Sequence, residues 1–292
     1  MNQSYMPHSS LIFRIWFENE ANRWKGVWVD EGGDKPIYVR KTFGLPSKPT
    51  RTIAFASVLG HFNFLVNGRP ASDHVFDLGW TNYHRAVQFV AYDLTEQLIG
   101  GNNAIGAHVG NGFYAGDQGD RFFWLNYKDQ TYVQHGNELC FFCELHLFYE
   151  DGKHDVIISG LDWRVRKSDT KFANIYASKR TTDELTLMGG ILRPSKMPSG
   201  LLHMPDPLFK EFETHVYSKI ILSGTGEAEI WQPDFSFTSA RYIQAEDVAL
   251  EGGKGLPVIH YAVGQHVSSG AKRLGSMKTD KGDVNQLINA CY

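Results

Sequence analysis

Two short stretches carry seven side chains of the kinds that hold a sugar ring: Trp80, Asn82, Tyr83 and Arg85 in GWTNYHR, and Asn111, Phe113 and Tyr114 in GNGFYAG. A pyranose has one apolar face and a rim of hydroxyls. Aromatic rings cover the face, while planar amides and a guanidinium bind the rim. Gly110 and Gly112 flank Asn111, which predicts that this loop is displayed to solvent. The same residues also admit a structural reading. Trp80 and Tyr83 would then close the end of the fold, and Arg85 would pair with Asp93 or another carboxylate.

Bond-breaking chemistry is harder to place. Glycoside hydrolysis by inversion needs two carboxyl groups about 6.5–9.5 Å apart across the scissile bond. Asp117 and Asp120 share one loop (AGDQGDRFF), and Asp73 and Asp77 flank another (SDHVFD). Both pairs read as loop-solvating or turn-capping residues. Asp117 and Asp120, with loop carbonyls, also fit calcium, which accepts oxygen ligands in irregular loops. No cofactor is required by any motif. His61, His74, His84 and His108 stand singly, without the i, i+4 spacing of a helical metal pair, and read as structural. GxSxG, HExxH and phosphate-loop motifs are lacking. The glycines at 110, 112, 116 and 119 open no helix, so they form no dinucleotide fingerprint. Cys140 and Cys143 lie in the apolar run LCFFCELHLFY. On a strand, residues three apart point to opposite faces, which predicts two small buried residues rather than a zinc pair.

The elements that must position these loops are strands. Among 292 residues there are 29 glycines and 13% aromatics, a balance that favours strands and turns. Segments 35–43, 50–57, 61–66, 87–92, 104–109 and 139–149 alternate or run apolar at strand length. Asn67-Gly68 is a type I′ hairpin signal. Asp93-Leu94-Thr95 opens a short helical turn closed by Gly100-Gly101. Segment 154–158 returns from a turn at 150–153. The expectation is an all-β antiparallel sandwich of jelly-roll, galactose-binding-like form. Four prolines, at 194, 198, 205 and 207, interrupt the next segment. Strand patterns resume at 216–222, 228–231, 235–244 and 256–263. Val284, Leu287, Ile288 and Cys291 then share one helical face. The predicted organisation is a sandwich at 1–185, a Pro-rich linker at 186–215, a second β-rich region at 216–282 and the start of a helix at 283–292.

Net charge is −3 and charged residues are 21%, so no basic stripe predicts nucleic acid as a partner. No apolar run is long enough to span a bilayer. The first twenty residues lack a charged leader region, an apolar core and a small-residue cleavage site, which predicts an unprocessed cytoplasmic chain.

The stretch from Leu65 to Gly116 resembles the N-terminal domain of bacterial α-L-rhamnosidases of glycoside hydrolase family 78. The family pattern is an NG turn, PGWTDY, a following Arg, a YDVT-type segment and LGxGWY-x-G. Its counterparts here are Asn67-Gly68, Leu78 to Tyr83, Arg85, Tyr92 to Thr95 and Val109 to Gly116. A turn at Glu150 to Lys153, Asp162-Trp163 and Asn174 to Ser178 extend the likeness to about residue 185. Leu222-Ser223-Gly224, Glu229 to Pro233 and Phe235 to Tyr242 resemble the region just before the family's helical barrel, and 283–292 resembles the helix leading into it. Two departures stand in the candidate loops: Phe113 replaces the usual tryptophan, and Asn82 replaces the usual aspartate.

The resemblance implies a non-catalytic part of a rhamnosidase, with the acidic catalytic residues on a barrel beyond Tyr292. It also implies L-rhamnose or a rhamnosylated glycan as ligand, and the barrel as partner. A free-standing lectin-like module, a purely structural domain and a small hydrolase using Asp117 or Asp120 are the competing readings.

Overall fold

In the computed structural model, the described residues are 12–16, 24–75, 77–115, 135–173, 180–181, 189–195, 218–223, 225–232, 234–235, 242–249, 256–267 and 276–290. Two units separate at residue 259. The first opens with ten strands: β1 (Ile12–Trp16), β2 (Ile37–Leu45), β3 (Arg51–Leu59), β4 (His61–Val66), β5 (Arg69–Pro70), β6 (Ala86–Asp93), β7 (Gly101–Gly110), β8 (Cys140–Phe148), β9 (His154–Ile158) and β10 (Arg164–Lys167). They form two sheets, ordered β1-β6-β3-β8-β9 and β10-β2-β7-β4-β5. Every pairing in both is antiparallel. The all-β sandwich expected from the alternation is the observed architecture.

The two-residue period of a strand decides which face is buried. Ala54, Ala56 and Val58 of β3, Phe62, Phe64 and Val66 of β4, Ile105, Ala107 and Val109 of β7, and Phe141, Cys143, Leu145 and Leu147 of β8 all enter one core. Rings join the sheets there. Phe62 meets Phe141 at 5.6 Å, and Phe64 meets Tyr92 at 5.1 Å. Strand β8 is buried on both faces, because Phe142 and Glu144 lie under the segment around Trp24 to Val29. Cys140 and Cys143 are therefore both buried and unbonded, as their spacing on a strand requires.

The hairpin between β4 and β5 turns at Asn67 and Gly68, with φ of 49° and 79°, the positive pair a type I′ turn demands. The Asn67 amide also fastens this hairpin to the β6–β7 connection. Its Oδ1 accepts from the Ala104 amide at 2.9 Å, and its Nδ2 donates to the Gln97 carbonyl at 3.0 Å. Asp93 accepts from the Thr95 amide and hydroxyl, capping the turn that buries Leu94 and Leu98.

A third sheet follows: β11 (Thr170–Phe172), β12 (Arg180–Thr181), β13 (Gly189–Ser195), β14 (Ser218–Ile221) and β15 (Tyr242–Glu246), ordered β11-β12-β14-β13-β15. Only β12 and β14 run parallel. Strand β13 lies inside the segment expected to be a linker. Its pairing with β14 ends at Leu192, whereas its pairing with β15 runs on to Ser195 and places Pro194 opposite Ile243. Two expected strands do not form. Residues 228–231 are irregular, and 256–263 make a single bridge, Val258 to Ala249. Ile230, Tyr261 and Val263 are exposed, so their apolar character is not matched by a facing strand among the described residues.

The second unit contains one helix among its described residues, α1 (Gly282–Ala290). Asp283 occupies its first turn, where a carboxylate complements the helix dipole. The Asn285 side chain reaches back to the Thr279 amide and carbonyl, fixing the chain before the helix. Leu287, expected on an apolar stripe, is exposed.

Candidate functional site

The register brings the end of β3, the start of β4, the start of β6, the end of β7 and the start of β8 to one end of the sandwich. Both candidate loops emerge there. In the first, the Asn82 carbonyl accepts from the Arg85 and Ala86 amides at 2.8 and 2.9 Å. The Asn82 side-chain oxygen accepts from the His84 amide at 3.2 Å. This local turn, which a short polar side chain makes for itself, leaves Asn82, His84 and Arg85 exposed. Thr81 and Tyr83 point inward and are buried, and Trp80 is half-buried against the core. Arg85 makes no ion pair among the described residues. Its expected partner Asp93 serves Thr95 instead.

The second loop is built differently. Asn111 is 1% exposed, a correction to the expectation that its glycine neighbours display it. Its Nδ2 donates to the Asp34 carbonyl at 2.5 Å and its Oδ1 accepts from the Ala173 amide at 3.1 Å. Asn111 thus ties together three distant parts of the chain. Gly112 has φ of 57°, and a Cβ there would lie 2.8 Å from the His61 ring, so only glycine permits this close approach. Phe113 and Tyr114 remain half-buried at the rim. Phe113 meets His61 edge-on at 5.2 Å.

The two loops join through Tyr83 and Tyr114, whose rings are 5.1 Å apart at 67°. His135 extends the contact, 5.0 Å from Tyr83 and 5.6 Å from His84. The structure therefore brings Trp80–Arg85 and Phe113–Tyr114 to one aromatic-lined end. Burial raises the Tyr114 phenol above its usual range, keeping it a neutral donor. Asp117 and Asp120 lie outside the described residues. Among the described residues, no group of three or more His, Cys, Asp or Glu side chains is arranged to hold a metal ion.

Beneath these loops sits a polar cluster that spacing alone did not reveal. Asp77 is buried and accepts from the Tyr92 hydroxyl at 2.5 Å. Its two oxygens lie 2.9 and 3.0 Å from His74 Nδ1. The Asp77 hydrogen bond raises the His74 pKa, whereas burial lowers that of His61 to about 4. The i, i+3 pairing of His74 and Asp77 in SDHVFD was the available signal. A second polar row crosses the outer face of the other sheet. Asn63, His108, Tyr38 and Arg166 are register partners on β4, β7, β2 and β10. Phe235 packs on His108 at 4.8 Å, and Asp234 approaches Asn63 and His108. This face is covered by the chain itself.

These features define a two-sheet antiparallel β-sandwich with an aromatic loop cluster at one end, followed by a third, mixed sheet. Residues 47–189 match the α-L-rhamnosidase N-terminal domain, and residues 178–260 match the bacterial α-L-rhamnosidase concanavalin-like domain. The chain belongs to the α-L-rhamnosidase family. It is 32% identical over 148 residues to an α-L-rhamnosidase of Formosa agariphila, a match covering 51% of this chain and 15% of that protein. Its fold is similar to that of the Streptomyces avermitilis α-L-rhamnosidase complexed with L-rhamnose. There the TM-score is 0.61 and identity 20%, covering 73% of this chain and 27% of that one. An Aspergillus terreus α-L-rhamnosidase gives a TM-score of 0.60 at 16% identity, covering 82% and 34%. The chain spans between 13% and 19% of the length of the curated relatives it matches.

Proposed function

We propose that this chain supplies the non-catalytic β-rich part of an α-L-rhamnosidase-like glycoside hydrolase, and that the loop end of its sandwich holds L-rhamnose or a rhamnosylated glycan. The supporting observation is the convergence of the two loops through Tyr83 and Tyr114, with Asn82 and Arg85 at the surface beside them. In this reading Trp80, Phe113 and Tyr114 present aromatic surface to the apolar face of the sugar, including its methyl group. Asn82 and Arg85 bind the hydroxyl rim. Tyr83 and Asn111 hold the two loops in place from below. Phe113 offers a smaller ring than an indole, which suits weak rather than tight retention. Calcium at Asp117 and Asp120 belongs to the same proposal, as does docking of these domains against a helical catalytic barrel.

The chain should bind the sugar without cleaving it. Calorimetric titration with L-rhamnose is expected to give heat for the parent chain and little for Arg85→Ala or Phe113→Ala. Repeating the titration with chelator reads the calcium contribution. An assay on an aryl α-L-rhamnoside is expected to show no turnover. Robust turnover by the purified chain would overturn the non-catalytic reading, and absence of heat in the parent would overturn the sugar site.

A further inference from the structure

The outer face of the β1-β6-β3-β8-β9 sheet carries two histidines whose geometry is independent of the sugar reading. His146 of β8 and His154 of β9 lie on an antiparallel pair, with His154 directly opposite Phe148 and His146 directly opposite Val156. Their rings are nearly parallel, and His146 Nδ1 is 3.1 Å from His154 Nε2. The two nitrogens thus face each other at hydrogen-bond distance.

Each ring is held from behind. The His154 ring stacks on Phe148 at 4.5 Å and 4°. The His146 ring stands edge-on to Phe55 at 5.4 Å. Its other nitrogen, Nε2, faces Glu144 Oε2 at 3.5 Å. Glu144 is itself fixed, because its second oxygen accepts from the backbone amides of Lys25 and Gly26. A carboxylate on Nε2 favours the tautomer with its proton there, leaving the Nδ1 lone pair directed at His154. Carboxylate–histidine pairs of this kind orient metal-binding imidazoles.

We propose that His146 and His154 form a two-histidine site for a divalent transition metal ion of the zinc, copper or nickel class, with Glu144 as the positioning carboxylate and water completing the coordination. Imidazole nitrogen suits these ions, whereas calcium and magnesium prefer oxygen. In the metal-free chain a hydrogen on His154 Nε2 bridges the pair. The ion takes that place, the rings swing slightly to direct both lone pairs at it, and His154 carries its proton on Nδ1 instead. No proton is lost overall. His154 is exposed and His146 partly so, giving the ion a path from solvent.

Titration of the metal-free full chain with zinc chloride tests this. One ion per chain is expected, and substituting His154→Gln should weaken it by about tenfold or more, an effect of the size that loss of supporting residues alone produces in metal sites. His146→Gln should do the same. Because His146 contacts Glu144, the exposed His154→Gln variant is the decisive one, with circular dichroism confirming that it folds. Copper(II) bound to the parent chain should show spin-resonance splitting from two imidazole nitrogens, falling to one in His154→Gln. No zinc binding by the parent, or unchanged affinity in His154→Gln, would overturn the proposal. The same conclusion would follow if the copper spectrum did not change between the two proteins.

Discussion

The first sandwich and the third-sheet region respond to apolar sequence in opposite ways. In the sandwich, alternating residues of β3, β4, β7 and β8 meet partners from the facing sheet and enter one buried core. In the later region, Ile230 has the same β-forming character yet remains exposed. An apolar strand pattern marks a capacity to pair. Whether it is used depends on a neighbouring strand arriving in register.

The largest expected effect tests the better-packed side of that contrast. Phe62 is buried between the sheets against Phe64, Tyr92 and Phe141. Truncation to alanine removes apolar burial and leaves a cavity, so Phe62→Ala should cost about 3–5 kcal/mol in denaturant unfolding. A loss under about 1 kcal/mol would show that the two sheets are not packed as described.

The next effect concerns pH and the polar groups beneath the loop end. His61 is fully buried, and burial lowers its pKa to about 4, against a smaller opposing pull from Asp77. Its unfolded value is about 6.5. Between these values the unfolded chain binds more protons than the folded one, so stability falls as pH drops from about 6.5 to about 4. The loss attributable to this ring is ~3 kcal/mol. His74 acts with the opposite sign. Its pKa is raised by Asp77, so its contribution is present below the unfolded value and is lost as pH rises through the folded one. Replacing His61 with glutamine should flatten the acid limb of the stability profile. An unchanged limb would place the acid sensitivity elsewhere.

The smallest expected effect lies on the other side of the comparison. Ile230 is 89% exposed, so Ile230→Ala should change unfolding free energy by no more than about 0.5 kcal/mol. A cost of several times that would mean that Ile230 is covered in solution.

The sandwich was legible because its signals are local. A period of two, an Asn-Gly turn and an Asp cap each act within a few residues, and β2, β3, β4, β6, β7, β8 and β9 follow from them. The third sheet was less legible because its local signals are weaker: β12 is two residues long, and Pro194 falls within β13. The candidate loops were recognisable by residue type, but their roles depended on long-range contacts. Asn111 has exposed-looking glycine neighbours, yet its amide is committed to Asp34 and Ala173, some 77 and 62 positions away. The contact between Tyr83 and Tyr114 likewise follows from register across the sheets rather than from spacing along the chain. His146 and His154 show the same limit: eight residues apart, they face one another only because a hairpin returns β9 along β8.

The central claim is that one end of the sandwich retains a sugar while leaving its glycosidic bond intact. Amide chemical-shift mapping of the isotope-labelled chain during addition of L-rhamnose tests it at residue level. Saturable shifts confined to Trp80–Arg85 and Phe113–Tyr114 are expected. Shifts centred on another surface, or a spectrum that does not change, would contradict it.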